Sequence, residues 1–285
     1  MTNYTSLFSI LSICLLFSMS SCDYRNKTSD NPVTFDTVQV DKSYYFNDDQ
    51  TRPGCNFRIR FIYPDSYAST DTLSLNRIQL VFTEKTLGSV FKGKEPEEAL
   101  NEFITLYLND FNQFVSSIKN DNEENESLYE DETGYSYYVH LKNSVLYNKN
   151  GLISFVVETV SFEGGAHNSK SIYGYVYDLN KKDFLKEEDF SENNYNKNVS
   201  LLLAEKIAEQ NGVRNPTELE HIGFNHIEDI KPNNNFTLDD NGITYYFNEN
   251  EIAGTMIGLV QIHIPYDELD LYLQQNSVIS PLIAH

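Results

Sequence analysis

The chain has 285 residues, of which 42 are acidic and 21 basic, for a net charge of −21. A field of that sign disfavours nucleic acid and anionic lipid surfaces and steers cationic partners toward the protein. Its three cysteines, Cys14, Cys22 and Cys55, are too few for a disulfide framework or a structural zinc site built on thiolates.

In chain order, an apolar run from Leu7 to Phe17 leads through Ser18-Met19-Ser20-Ser21 into Cys22. At about eleven residues it is too short to span a bilayer as a helix, but it suits the core of a signal peptide. The segment resembles a bacterial lipoprotein signal, in which small residues precede a cysteine that becomes the lipidated mature N-terminus. The resemblance implies loss of residues 1–21, acyl chains on Cys22, and a lipid-anchored place in the bacterial cell envelope, at the outer membrane or its periplasmic face. The basic residue that usually opens such a signal is missing, since Met1 to Tyr4 offers only the terminal amine. With Cys14 removed and Cys22 lipidated, Cys55 stands alone in an apolar run and reads as a buried thiol.

Residues 22–50 are polar and read as a tether, with one short strand around Thr34 to Val40. Folding is expected from Thr51, as an N-terminal lobe over 51–178 and a C-terminal lobe over 179–285 of the same compact unit. Period-two alternation predicts strands at Phe57–Tyr63 and Arg77–Phe82. Over 96–119, Leu100, Phe103, Ile104, Tyr107, Phe111, Phe114, Val115 and Ile118 recur at helical spacing behind Pro96, Glu97 and Glu98; these predict an amphipathic helix with a favourable first turn. The acidic stretch Asn120 to Glu132 reads as a loop.

Strands are then expected at about 135–147, 151–162 and 170–178. Asn150-Gly151 signals a tight turn between the first two, and Gly164-Gly165 links the second to the third, so the three form an antiparallel meander. A helix over 194–210 shows Val199, Leu202, Leu203 and Ile207 on one face and Gly212 as its cap. A short helix from Pro216, strands at 243–247 and 257–264, and a helix over 266–275 complete the pattern. The class is α+β with a largely antiparallel sheet.

The sharpest local motif is Phe162-Glu163-Gly164-Gly165-Ala166-His167-Asn168. A diglycine can serve the reversal of the chain alone. In a functional reading, Glu163, Gly164, Gly165, His167 and Asn168 form a ligand-binding loop, and Glu163 with His167 would be the acid/base pair of a hydrolase. His221 and His226 lack the spacing and intervening Glu of a zinc protease and read as loop histidines. His263 reads as a histidine at the edge of the core. Glu187-Glu188-Asp189 and Asp239-Asp240-Asn241-Gly242 read as acidic turns; the second lacks the distal Glu of a calcium loop. No nucleophile elbow, phosphate loop or dinucleotide fingerprint occurs, so neither cofactor nor metal is expected. Tyr44-Tyr45-Phe46, Tyr137-Tyr138 and Tyr245-Tyr246-Phe247 are candidate stacking platforms for sugars, although neighbours on a strand point to opposite faces.

Three stretches together carry a second resemblance. Ser161-Phe162-Glu163-Gly164-Gly165-Ala166-His167 precedes an aromatic strand ending Tyr177-Asp178-Leu179. Phe184-Leu185-Lys186-Glu187-Glu188-Asp189-Phe190 then leads into a helix. Asn241-Gly242-Ile243-Thr244-Tyr245-Tyr246-Phe247 and Ile264-Pro265-Tyr266-Asp267-Glu268-Leu269 follow. This order resembles the extracellular module shared by the RsiV anti-sigma factor and the PdaC-type peptidoglycan deacetylases, a family otherwise of unknown function. The resemblance implies an α+β fold and a non-catalytic role, since that module binds lysozyme in the anti-sigma factor and accompanies a separate catalytic domain in the deacetylases. The expected function is a lipid-anchored binding or sensing module for a cationic, lysozyme-like protein or a cell-wall glycan; the alternative is a hydrolase using Glu163 and His167.

Overall fold

The strand Leu152–Phe162 opens Leu-Ile-Ser-Phe-Val-Val, and these six residues are all buried. Only a strand covered on both faces has that pattern. It is β4 of a six-stranded sheet in the computed structural model, which describes residues 31–67, 72–121, 135–164 and 167–283. The other strands are β1 (Val33–Tyr45), β2 (Gly54–Tyr67), β3 (Tyr137–Lys149), β5 (Ser169–Asp178) and β6 (Asp183–Phe184), and all six lie in sequence order. Every neighbouring pair is antiparallel except β2 and β3. A parallel neighbour requires a crossover, here made by helices α1 (Thr72–Leu87) and α2 (Pro96–Asp121). A second, antiparallel sheet follows α3 (Tyr195–Gln210) and comprises β7 (Phe236–Leu238), β8 (Gly242–Phe247) and β9 (Val260–Pro265). Short helices α4 (Tyr266–Leu269) and α5 (Ser280–Ile283) end the chain. The fold is α+β with a largely antiparallel sheet.

The two faces of the large sheet are covered differently. On one, α2 sets Leu100, Phe103, Phe111 and Val115 against Phe57, Phe61, Val139 and Leu141. Beside it, α1 sets Ile78 and Phe82 against Phe155, Val157 and Tyr177, with Phe82 and Phe155 stacked at 4.0 Å between ring centroids. The other face receives the small sheet. Contact there is so close that a Cβ on Gly174 would lie 2.5 Å from the Phe236 backbone. Side chains that flank the strands of the small sheet also satisfy the open edge of β5. The Gly174 N–H donates to Asn235 Oδ1 at 2.7 Å, and the Ile172 N–H donates to Asn248 Oδ1 at 2.7 Å. An exposed edge is thereby closed to pairing with another chain. Tyr147, Leu152 and Val176 of the large sheet join the core made by α3 and the small sheet, so the two halves of the chain share one interior.

Several expectations meet a different structure. Residues 77–82 are helical, within α1, because burial falls on Ile78, Phe82, Thr83, Thr86 and Leu87. That is a helical stripe, and the alternation of Ile78, Leu80 and Phe82 was its by-product. Residues 31–50 are part of the fold rather than a tether: β1 spans thirteen residues paired along β2. Asn31 is buried, donating to Leu152 O at 2.8 Å and accepting from Gly151 N at 2.8 Å. An edge strand is half-covered, so its sequence stays polar and its period weak. The short β7 also escapes the sequence pattern. By contrast the meander β3–β4–β5, α2 and α3 stand where their periodicities put them. Asn150 and Gly151 both have positive φ at the predicted turn, and Gly212 adopts φ +69° after α3. The expected helix at 266–275 is shorter, running through α4 and one 3-10 turn to Tyr272. The signal segment, Cys22, Gly165 and Ala166 lie outside the described residues. Among those described, no helix is long and apolar enough to cross a membrane.

Candidate functional site

The loop after β4 begins against α2. Gly164 holds φ +79°, and a Cβ there would come 2.9 Å from the tip of the Phe114 ring, so glycine is required by both backbone and space. This placement brings Glu163 to Tyr107, whose hydroxyl donates to Glu163 Oε1 at 2.8 Å. Burial, and then the Glu163 charge, raise the pKa of Tyr137 and push the Cys55 thiol up to about 12. For Tyr107 the same two influences, with the hydrogen bond to Glu163 between them, hold the phenol protonated. Cys55 is fully buried and, with that pKa, inert as a nucleophile. Glu163, His167 and Asn168 are exposed. No hydrogen bond or ion pair joins Glu163 to His167; the partner of the carboxylate is Tyr107.

Tyr107 also lines a groove of about 560 Å³ on the helix-covered face of the large sheet. Phe103 and Tyr107 of α2, Glu84, Lys85 and Thr86 of α1, and Tyr173 and Tyr175 of β5 are among its walls, with Ser89, Thr159 and Ser171 between them. Exposure falls along β5 from Tyr173 (45%) through Tyr175 to fully buried Tyr177 (1%), all on one face of the strand. The groove is therefore the place where the sheet emerges from beneath its helices. Lys85 Nζ stands 5.3 Å from the Tyr175 ring centroid and 5.0 Å from that of Phe184, a cation–π contact at one wall. Burial pushes the Tyr175 phenol up to about 12. The sequence reading missed Tyr173 and Tyr175 as site residues, although the alternation Tyr173-Gly174-Tyr175-Val176-Tyr177 announced one tyrosine face.

Elsewhere the candidates scatter. Tyr245, Tyr246 and Phe247 are all buried and offer no stacking platform; Tyr137 is buried while Tyr138, Tyr44 and Tyr45 are half-buried. His226 is exposed and its Nδ1 lies 3.0 Å from Glu220, which raises its pKa; His221 is exposed as well. His263 stands on the solvent face of β9, 3.0 Å from Thr244 Oγ1, rather than at the core edge. Asp239 closes its turn by accepting from the N–H groups of Asn241 and Gly242. Among the described residues no three His, Cys, Asp or Glu side chains converge to hold a metal ion.

Glu187 departs most from its sequence reading. It is buried at 5% exposure, where an acidic turn was expected. Asn234 N–H donates to its Oε1 at 2.9 Å and its own N–H donates to Asn234 Oδ1 at 3.0 Å, while the polar groups of Tyr245 and Asn233 near the carboxyl act to lower its pKa. Tyr245 in turn lies 2.6 Å, oxygen to oxygen, from Tyr195. Burial pushes the Glu187 carboxyl up to about 7 in spite of these donors.

Comparison with known proteins agrees with this architecture. Residues 68–170 match the family described as "Deacetylase PdaC", and residues 182–267 match the "Protein of unknown function (DUF3298)". No curated protein matches the chain. A crystal structure of a DUF3298 family member from Bacteroides fragilis NCTC 9343 is 27% identical, with a TM-score of 0.78, over 89% of this chain and 98% of that one. A DUF3298 family protein from Pseudomonas aeruginosa PAO1 shares the fold at 15% identity and a TM-score of 0.56, over 87% of this chain and 97% of that one. The PdaC match covers α1, α2, β3, β4, the diglycine loop and the first residues of β5, and the DUF3298 match runs from β6 to the start of α4, so that between them they take in the walls of the groove from α1 and α2 and most of the shared core. A PdaC segment followed by a DUF3298 segment, together with the DUF3298 neighbours, supports a PdaC/RsiV-type extracellular module of unknown function.

Proposed function

We propose that this chain is a non-catalytic binding module, held at the bacterial envelope by a lipid on Cys22, that docks a cationic protein in the groove between α1, α2 and β5. The observation that carries this reading is the groove's lining: Tyr107, Tyr173 and Tyr175 interleaved with Ser89, Thr159 and Ser171. Tyrosine gives large contact area at low entropic cost, and small hydroxyl residues give adaptable hydrogen bonds, which is the composition of protein-recognition surfaces. The net charge of −21 adds long-range attraction for a basic partner such as a lysozyme. The same geometry gives less support to a hydrolase, because Glu163 is bonded to Tyr107 and not to His167.

The test is retention of a basic lysozyme on the immobilised mature chain at low and at high salt. Salt-sensitive retention that Tyr173→Ala weakens by roughly tenfold is the expected result. No retention at low salt, or retention indifferent to Tyr173→Ala, would overturn the reading. For the anchor, Cys22→Ser is expected to move the protein from membrane to soluble fractions, because the acyl chains supply the attachment; a membrane-bound variant would refute it.

A further inference from the structure

A second concavity, of about 830 Å³, opens where the start of α3 meets residues 270–276, and it shares no lining residue with the tyrosine groove. Its frame is stitched by the backbone. Glu192 N–H donates to Tyr272 O at 2.9 Å, Gln274 N–H donates to Phe190 O at 2.9 Å, and Gln274 Nε2 donates to Ser191 O at 2.8 Å. Tyr195, at the base of α3, is buried and locked to Tyr245. A cleft framed in this way loses little freedom when it is filled.

Its side chains, by contrast, are uncommitted. Asn193, Asn194, Asn198, Gln275 and Asn276 line it, and none of their side-chain amides is bonded among the described residues. Asn194 even occupies the N-cap position of α3 without capping it. Each amide offers a carbonyl acceptor beside an NH2 donor, the pair that vicinal hydroxyls and acetamido groups satisfy. Glu192 and Asp270 add acceptors for hydroxyl protons, and no Lys or Arg lines the cleft. An anionic ligand would meet those carboxylates with nothing to offset its lost hydration. Half-buried Tyr272 and Leu271, which is 85% exposed, supply apolar surface for a ring face.

We infer that this cleft binds a neutral oligosaccharide. The site is separate from the groove, so either can fail alone. The experiment is calorimetric titration of the mature chain with the N-acetylglucosamine tetramer and with maltotetraose, with tetragalacturonate as the anionic control and oligolysine as the cationic one. At least one neutral tetramer is expected to bind and tetragalacturonate to be silent. The double variant Asn194→Ala/Asn276→Ala should weaken binding by roughly tenfold, about the loss of one or two hydrogen bonds, while Tyr173→Ala leaves it unchanged. Silence with both neutral sugars, equal binding of the anionic one, or tighter binding of oligolysine would overturn the inference. So would unchanged affinity in the double variant. If that variant melts early, Gln275→Ala on an exposed side chain is read in its place, with the same direction expected.

Discussion

Two glutamates, each in a turn that follows a strand of the large sheet, sit in opposite physical worlds. Glu163 follows β4 in the loop that carries the chain's most conspicuous motif, and its carboxylate is exposed with a single phenolic donor from Tyr107. Glu187 follows β6 in a run of three acidic residues that looks like solvated surface. Yet it is buried and held by two hydrogen bonds to Asn234, with its pKa pushed up to about 7. The difference shows that a motif's appearance does not report its environment. Glu163 is exposed because Gly164 turns the chain outward over Phe114. Glu187 is buried because the segment 233–235 folds back across it and presents backbone donors.

The largest test of this contrast is Glu187→Ala. It leaves the Asn234 N–H without its acceptor and opens a cavity inside the core, and the expected loss is about 4 kcal/mol in denaturant unfolding. Loss below about 1 kcal/mol would mean that the carboxyl is not the hub of that network.

Next in size is the pH dependence of the same residue. Its ordinary value is 4.5 and its folded value about 7, so between those pH values the folded chain holds a proton that the unfolded chain has released. Its contribution to stability is therefore full below pH 4.5 and is lost as pH rises through 7, by about 3 kcal/mol. Glu187→Gln, which cannot ionise, should remove that slope while keeping an acceptor for the backbone. An unchanged pH profile in the variant would place the titration elsewhere.

Smaller effects are expected at the outer glutamate. Gly164→Ala combines a positive φ with a contact at 2.9 Å from Phe114, and should cost roughly 1–2 kcal/mol in thermal unfolding. Glu163→Gln keeps an acceptor for Tyr107 on an exposed side chain, so its melting should differ from wild type by less than about 0.5 kcal/mol. A loss as large as that of Glu187→Ala would erase the distinction between the two sites.

Much of the fold was legible because its signals are local. The stripe of α2 from Leu100 to Val115, the Asn150-Gly151 turn, the meander around β4 and the cap of α3 all follow from spacing within a few residues of sequence. The site was less legible. Phe103 and Tyr107 were visible as a core stripe, but nothing in that stripe says that β5 leaves Tyr173 and Tyr175 uncovered beside them. For residues 77–82 a strand and a helix fitted the same short apolar pattern, and the choice fell to packing against Phe155 and Tyr177.

The sequence by itself determined the class of the chain, the periodic elements and their turns, because backbone geometry and apolar spacing act over a turn of helix or a pair of strands. Tertiary structure alone decided which carboxylate is buried and which tyrosines face solvent. It also decided whether polar β1 is tether or sheet. Each of those outcomes depends on a partner far along the chain: Asn234 and Tyr245 for Glu187, α1 and α2 for the groove, β2 for β1. Desolvation and hydrogen bonding are properties of what surrounds a residue in space, and its sequence neighbours do not carry them.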